Sequence, residues 1–371
     1  DAGMFDVIIG KLMLLVKDNV IGVCVMTCII ALIGHLDGGG ASTFCIVVPA
    51  MLPVYKKMHM RPATLLRISV IAMGVLNLMP WAGPTMRAAT VLGIEAGSLW
   101  QTILPIQACG IVLALAVAVL NGVIEQKRGA GLNGKLAKEA AHLNNVEEAA
   151  AAVETENNEL ARPKLFVFNI ILTIAVIALL IKDIFPSYVP FMIGVAIAIL
   201  VNYPGAKMQK KIINLHAGPA LMMCSTLMGA AVLMGILVKD IEGVNSVITC
   251  MSNLISSILP AALGQHLPLV IGILSVPLAL AFDTDSYFYG MLPVMIGIGE
   301  GFGVGAMPIA IAMVVCRNCA TFISPMVPAT LLGVGLADVD IKDHIKNSFL
   351  WVWGFSIICM FVGVVVGIIP L

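Results

Sequence analysis

Charge is what this sequence has least of. Asp, Glu, Lys and Arg together make up 11% of its 371 residues, and aromatic residues only 6%. A soluble domain carries about 25% charged residues, so the shortage excludes a soluble enzyme and a disordered chain. Basic and acidic residues balance at 21 each. That balance says nothing about a partner, but with so little charge no nucleic-acid partner is expected. The motifs H-E-x-x-H, G-x-S-x-G and the P-loop are missing, and an enzyme is not expected. An intramembrane aspartyl hydrolase would have to draw on Asp283 and Asp285, which stand two apart and face differently on a helix. The nine cysteines all lie in apolar runs, where a thiol behaves as a small buried hydrophobe. Cys316-Arg-Asn-Cys319 has redox spacing, but no βαβ pattern surrounds it.

What the sequence has in quantity is apolar residues, 60% of the total, with a mean hydropathy of +1.03. Crossing the hydrocarbon core takes about 20 such residues. Clear spans are 63–80, 99–124, 164–182, 188–203, 217–238 and 348–369. Two further apolar segments are interrupted: 20–57 at Gly34–Gly40, and 266–299 at Asp283–Ser286. Two more breaks follow helical runs, at Pro80–Thr85 and Thr321–Pro325. Non-helical backbone at membrane depth survives only where protein or a watery cavity satisfies it, so four breaks in one chain predict one polar site.

The halves on either side of the alanine-rich stretch 125–163 repeat. Met51-Leu52-Pro53 recurs as Met291-Leu292-Pro293, and Asn77 with Pro84 recurs as Asn318 with Pro325. Broken segments at corresponding places in two halves point to the binding site of a secondary transporter. The expected architecture is an all-α polytopic membrane protein. It has inverted-topology repeats over 1–124 and 164–371, two opposed re-entrant hairpins and discontinuous helices, with 125–163 as a cytoplasmic polar linker. By the same register the first half lacks counterparts of 164–182, 188–203 and 217–238, so two or three helices, roughly 60–75 residues, are expected to precede Asp1. With the linker inside, only Lys182 and Lys239 of the 21 basic residues fall outside, and Arg67, Arg87 and Arg317 fall within the spanning region. The loop 56–61 is basic and 300–306 is not, which sets the two repeats in opposite directions.

Three acids are placed inside the membrane: Asp37, Asp283 and Asp285. An ionisable group there is costly unless paired or hydrated, and points to function. Asp37 sits in a glycine-rich tip with Ser42 and Thr43 close behind. Its carboxylate suits a hard divalent cation, or else caps the following helix. Asp285 occupies the second tip, and Asp283 suits a cap or turn as well as it suits a ligand. Arg87, just after the first break, can hold a carboxylate in a bidentate fork or pair internally with Asp37 or Asp285. Arg317 stands similarly at the second break. Asn77, Thr85, Asn318, Thr321 and Ser324 either bind substrate or satisfy freed backbone groups. His35 adjoins the first tip and titrates near neutral pH, which admits a proton role. Tips of opposed hairpins meet near the midplane, so Asp37, Asp285 and Arg87 are expected at one site.

Four stretches carry a resemblance: Leu36-Asp37-Gly-Gly-Gly-Ala-Ser42-Thr43, Asn77 through Arg87 with Pro80, Trp81, Gly83, Pro84 and Thr85, Thr284-Asp285 through Gly290 to Pro293, and Asn318 through Thr321, Ser324, Pro325 and Pro328 to Thr330. They resemble the citrate–divalent-metal:proton symporters (CitMHS) of the ion transporter superfamily, over essentially the whole chain except the linker. The resemblance implies cotransport of protons with citrate complexed to a divalent metal of the Mg²⁺ or Ca²⁺ type. It also implies no permanently bound cofactor and an elevator-type homodimer in a bacterial plasma membrane. The breaks and tips give the expected substrate contacts as Ser42, Thr43, Asn77, Gly83, Thr85, Arg87, Asn318, Thr321 and Ser324, and the expected metal contacts as Asp37 and Asp285. The alternative is Na⁺- or H⁺-coupled transport of free di- or tricarboxylates. Two positions depart from the family pattern: Gly39 stands where an Asp is expected, and Arg317 where a neutral residue such as Gly or Gln is expected.

Overall fold

The computed structural model describes residues 19–132, 134–136, 160–182, 185–186, 188–239 and 245–370. Most of the linker 125–163 lies outside them, as do Asp1, Lys11, Lys17 and Lys138. Among the described residues every element is a helix and none is a strand.

The first part of the chain runs α1 (Val20–Gly34), a 3₁₀ turn at His35–Asp37, α2 (Gly40–Lys57), α3 (Pro62–Leu76), α4 (Gly83–Leu92) and α5 (Ala96–Lys127). Next come α6 (Phe166–Lys182), α7 (Tyr188–Asn202) and α8 (Ala206–Val238). The last part runs α9 (Val247–Ile258), the short α10 (Ala261–Gln265), α11 (Leu267–Ala281), a π turn at Ser286–Met291, α12 (Leu292–Gly301), α13 (Ala306–Ala320), a 3₁₀ turn at Thr321–Ile323, α14 (Pro328–Ala337) and α15 (Ile341–Val365). Among the described residues five stretches are long and apolar enough to cross a membrane: Val20–Asp37, α5, Pro163–Lys182, Ala306–Ile323 and α15.

Local chemistry explains the boundaries. Pro62, Pro84 and Pro328 stand in the first turns of α3, α4 and α14, where the missing N–H costs nothing. Asn77 caps the C-terminus of α3, so that helix ends before the expected limit of 80. Pro80 forbids its continuation by disfavouring helical backbone at Met79. The π turn falls where Pro293 has no N–H to close an α-turn onto Tyr289. Such widened turns recur at functional sites.

The order helix, tip, helix, broken helix, long helix occurs twice. Pro62 and Ala306 open the third helix of each set, Gly83 and Pro328 the piece after the break, and Ala96 and Ile341 the long helix. Their separations of 244, 245 and 245 exceed those of the repeated sequence motifs by three to five residues.

Helices α3 and α13 form the centre. Every residue of Thr64–Leu76 and of Ile309–Ala320 is buried. They approach closely at Gly74, where a Cβ would lie 2.9 Å from Cys319 Cα and 3.0 Å from the Asn318 carbonyl. Around them α11 packs on α13, α1 on α5, and α2 on α14. Helices α6–α8 carry many exposed apolar side chains, Ile171, Met192 and Leu221 among them, as lipid contact requires.

Candidate substrate site

The first tip is held by its own side chains. Gly38 adopts φ 73°, the left-handed backbone that glycine takes without strain. The two Asp37 oxygens accept hydrogen bonds from the Gly39 N–H (2.7 Å) and the Ser42 hydroxyl (2.6 Å). Asp37 therefore braces the turn that leads into α2 while staying exposed. A side chain at position 39 would run into the Ser42 hydroxyl, so the glycine that replaces the expected aspartate is what lets Ser42 reach Asp37. Thr43 donates to the Gly39 carbonyl at 2.7 Å and lies 2.8 Å from His35 Nδ1. With the Thr43 proton so used, His35 Nδ1 is the donor. His35 Nε2 is buried without a hydrogen-bond partner among the described residues.

Phe322, from the 3₁₀ turn after α13, seats this tip. Its ring meets His35 edge-on at 5.2 Å and Phe44 at 6.0 Å. A Cβ on Gly40 would collide with it. Trp81 donates to the Leu36 carbonyl at 2.8 Å and ties the tip to the break between α3 and α4. Sequence reasoning passed over Phe322, although it lies between two residues that were singled out, Thr321 and Ser324.

The two breaks meet at one carbonyl. Asn77 O accepts from Asn318 Nδ2 at 3.0 Å and from the Thr85 hydroxyl at 3.4 Å. Asn77, Thr85 and Asn318 are buried, and Asn318 Oδ1 has no partner among the described residues. Thr321 accepts from Arg317 at 3.3 Å, and buried Ser324 accepts from the Met326 N–H at 3.3 Å. In this structure Thr85 and Asn318 satisfy the Asn77 backbone carbonyl, Ser324 a backbone N–H, and Thr321 the Arg317 guanidinium.

Arg87 projects from α4 and pairs through Nε with Asp285 Oδ1, just before the π turn. A Cβ on Gly83 would collide with Arg87 Nη1, so Gly83 provides the space that the guanidinium fills. Asp283 is a cap: its oxygens accept from the N–H groups of Asp285 and Ser286, each at 3.2 Å.

Asp37 and Asp285, expected to share a site, line different cavities. Asp285, Ser286 and the buried Tyr289 face one of about 720 Å³, otherwise walled by apolar residues of α8, α9, α11, the π turn and α12. The Tyr289 hydroxyl has no partner among the described residues. Asp37, Leu36 and Trp81 face another of about 410 Å³, closed by Thr173, Phe191 and neighbours on α6 and α7. Asp37 is turned back on its own tip by Gly39 and Ser42, while Asp285 is turned toward Arg87. Among the described residues no three His, Cys, Asp or Glu side chains converge as a metal site. A metal meeting either carboxylate would take its other ligands from what accompanies it.

Among the described residues one acid is fully buried, and it falls within the stretch 125–163 that the sequence reads as a linker. Glu125 lies inside α5, which runs on to Lys127, and its carboxylate is fully buried. It accepts from Arg61 and Thr64, each at 2.6 Å, and from Arg128 at 2.8 Å. Its spacing to Arg128 was the available signal. Arg67 lies nearby, bonded to Asn121 at 2.9 Å and stacked over Trp351 at 5.3 Å.

Known proteins share the sequence that builds this arrangement. The family model described as "Citrate transporter" (CitMHS) matches residues 1–316. A "Citrate transporter" of Bacillus subtilis (strain 168) is 34% identical over 369 residues, covering 100% of this chain and 82% of that protein. A "Mg(2+)/citrate complex secondary transporter" of the same organism is 34% identical over 371 residues, with the same coverage. These relatives are named as transporters and not as enzymes, and by these matches the chain belongs to the CitMHS citrate transporter family.

Proposed function

We propose that this protein is a secondary active symporter of a bacterial plasma membrane. It carries citrate complexed with a divalent metal of the Mg²⁺ or Ca²⁺ type, together with protons. The observation that carries this reading is the Arg87–Asp285 pair at the edge of the larger cavity. A metal–citrate complex presents both signs of charge. Its free carboxylate replaces Asp285 on Arg87, and its metal takes the Asp285 carboxylate that is released. Free citrate offers only the first exchange and leaves Asp285 facing a like charge. Chelation also cancels two of citrate's three charges, which lowers the cost of leaving water. The second-named relative, a Mg²⁺/citrate complex transporter, supports the same choice.

In this reading Asp37 is the second metal-facing acid. Ser42, Thr43, Asn77, Gly83, Thr85, Asn318, Thr321 and Ser324 line the path of the complex as the two breaks move. Asp37 has no basic partner among the ion pairs of the described residues, so a proton or the metal neutralises it before the site crosses. The halves 1–124 and 164–371 are inverted repeats with opposed re-entrant hairpins. The linker 125–163 and the loop 56–61 face the cytoplasm, and the carrier works as an elevator-type homodimer.

Uptake of labelled citrate into proteoliposomes under a proton gradient tests this, with Mg²⁺ or Ca²⁺ present or chelated. The expected result is uptake that needs both metal and gradient. Uptake that persists in chelator and follows a Na⁺ gradient would assign the protein to free carboxylate transport instead.

A further inference from the structure

Among the described residues Arg317 is a cation with nothing anionic within ion-pair distance. It lies on α13, 0% exposed, and forms none of the ion pairs among the described residues. Its guanidinium donates to the Phe282 carbonyl at 3.2 Å and the Thr321 hydroxyl at 3.3 Å, and lies 5.7 Å from the centre of the Tyr287 ring. Its Nε has no partner among the described residues. The nearby acids are engaged elsewhere, Asp283 with two backbone N–H groups and Asp285 with Arg87. Arg317 is also absent from the residues that line the larger cavity, whereas Phe282, whose carbonyl it holds, is among them. It is not placed to grip a substrate carboxylate.

The chemistry of its partners is informative. Phe282 is the C-cap of α11, so its carbonyl lies at the negative end of a helix dipole where the chain leaves the helix. A helix-end carbonyl and a hydroxyl are oxygen donors that a small hard cation takes. Discontinuous helices of transporters use such ends to hold coupling ions. The first half holds no fixed charge at the matching place. By the helix register Arg317 corresponds to Ala72 or Met73, and by the asparagine register to Leu76, all of them buried and apolar.

We propose that Arg317 is a tethered cation. Its guanidinium permanently fills a position at the second break that an exchangeable monovalent cation would otherwise occupy. This half of the carrier then has no monovalent ion to load or release, and transport by the native protein does not respond to Na⁺. Emptying the position hands it to a cation from solution. The inference rests on the transport reading above and adds where ion coupling does not take place.

Three variants test it in proteoliposomes, with labelled citrate and Mg²⁺ in choline or Na⁺ medium. The native protein and Arg317→Lys, which keeps a charge, should transport alike in both media. Arg317→Gly should fall about tenfold to a hundredfold in choline, the loss of a charge-assisted contact, and recover saturably with Na⁺ or guanidinium. Arg317→Gln serves the same purpose should the glycine variant fail to fold. Thermal unfolding in detergent is a second readout. Added Na⁺ should raise the melting temperature of the neutral variant and leave the native protein unmoved, because binding stabilises only a site that is open. A neutral variant that transports like the native protein in choline overturns the proposal. So does a folded, inactive variant that neither Na⁺ nor guanidinium restores or stabilises. If the native protein takes up no citrate in any medium, the transport reading falls, and the melting experiment still decides whether the position accepts a cation.

Discussion

Arg87 and Asp285 stand 198 residues apart in sequence and form an ion pair. The pair joins the helix after the first break to the π turn of the second half. It is asymmetric: the Arg87 side chain is 19% exposed and that of Asp285 44%. The carboxylate is therefore the more accessible partner of the pair. Opening the pair exposes one charge of each sign, the complement of a metal–citrate complex.

Replacing Arg87 with Lys should preserve the fold and weaken binding of the metal–citrate complex. An ammonium cannot reproduce the planar fork that holds a carboxylate. Losing one charge-assisted hydrogen bond costs about 1.5–3 kcal/mol, or ten- to a hundredfold in affinity. Calorimetric titration of the purified variant measures this. Native affinity in a folded variant would show Arg87 to be a brace and not a ligand.

Asp37 braces its own turn and has a proposed charge role, and the two can be separated. Asparagine keeps a side-chain oxygen for the Gly39 N–H, whereas alanine removes the acceptor of both the Gly39 N–H and the Ser42 hydroxyl. Asp37→Asn should therefore keep the melting temperature and abolish metal-dependent uptake, while Asp37→Ala should lower both. Wild-type uptake by Asp37→Asn, with the same pH dependence, would reduce Asp37 to a turn brace.

Glu125 holds together the ends of α3 and α5 through Arg61, Thr64 and Arg128. Glu125→Gln leaves these arginines and the nearby Arg67 without a counter-charge. Breaking a buried ion pair costs about 3–5 kcal/mol, and the low end applies because Arg61 and Arg128 reach solvent. A clear drop in the detergent melting temperature is expected. A change of under a degree would mean that Glu125 is dispensable.

Gly74 sets the crossing of α3 and α13. A methyl group there meets backbone atoms of Asn318 and Cys319, which cannot turn aside as a side chain would. Gly74→Ala should cost about 1–3 kcal/mol by overpacking. It should also reduce uptake, because separating the helices breaks the Asn318–Asn77 hydrogen bond. Retention of both stability and uptake would show that the crossing has slack.

The sequence by itself determined the helices and most of their breaks. Both depend on short-range physics: a bilayer demands about 20 consecutive apolar residues, and Pro and Gly act within a turn of where they stand. That is why the spans over α5, α6 and α7 and the tips at Gly38 and Asp283–Asp285 could be read directly. It also singled out Arg87 and Asp285, since a charge in an apolar run is visible without a structure. The tertiary structure alone decided who meets whom. It chose Asp285 over Asp37 as the partner of Arg87, set the two aspartates on different cavities, and buried Glu125 among arginines. It brought Phe322 onto the first tip and surrounded Arg317 with neutral oxygens. These outcomes depend on where α3 and α13 cross and on how each tip folds back, contacts between residues hundreds of positions apart. Hydrophobic periodicity records which residues are buried, but burial in a membrane protein does not name the neighbour, and here the neighbour determines the chemistry.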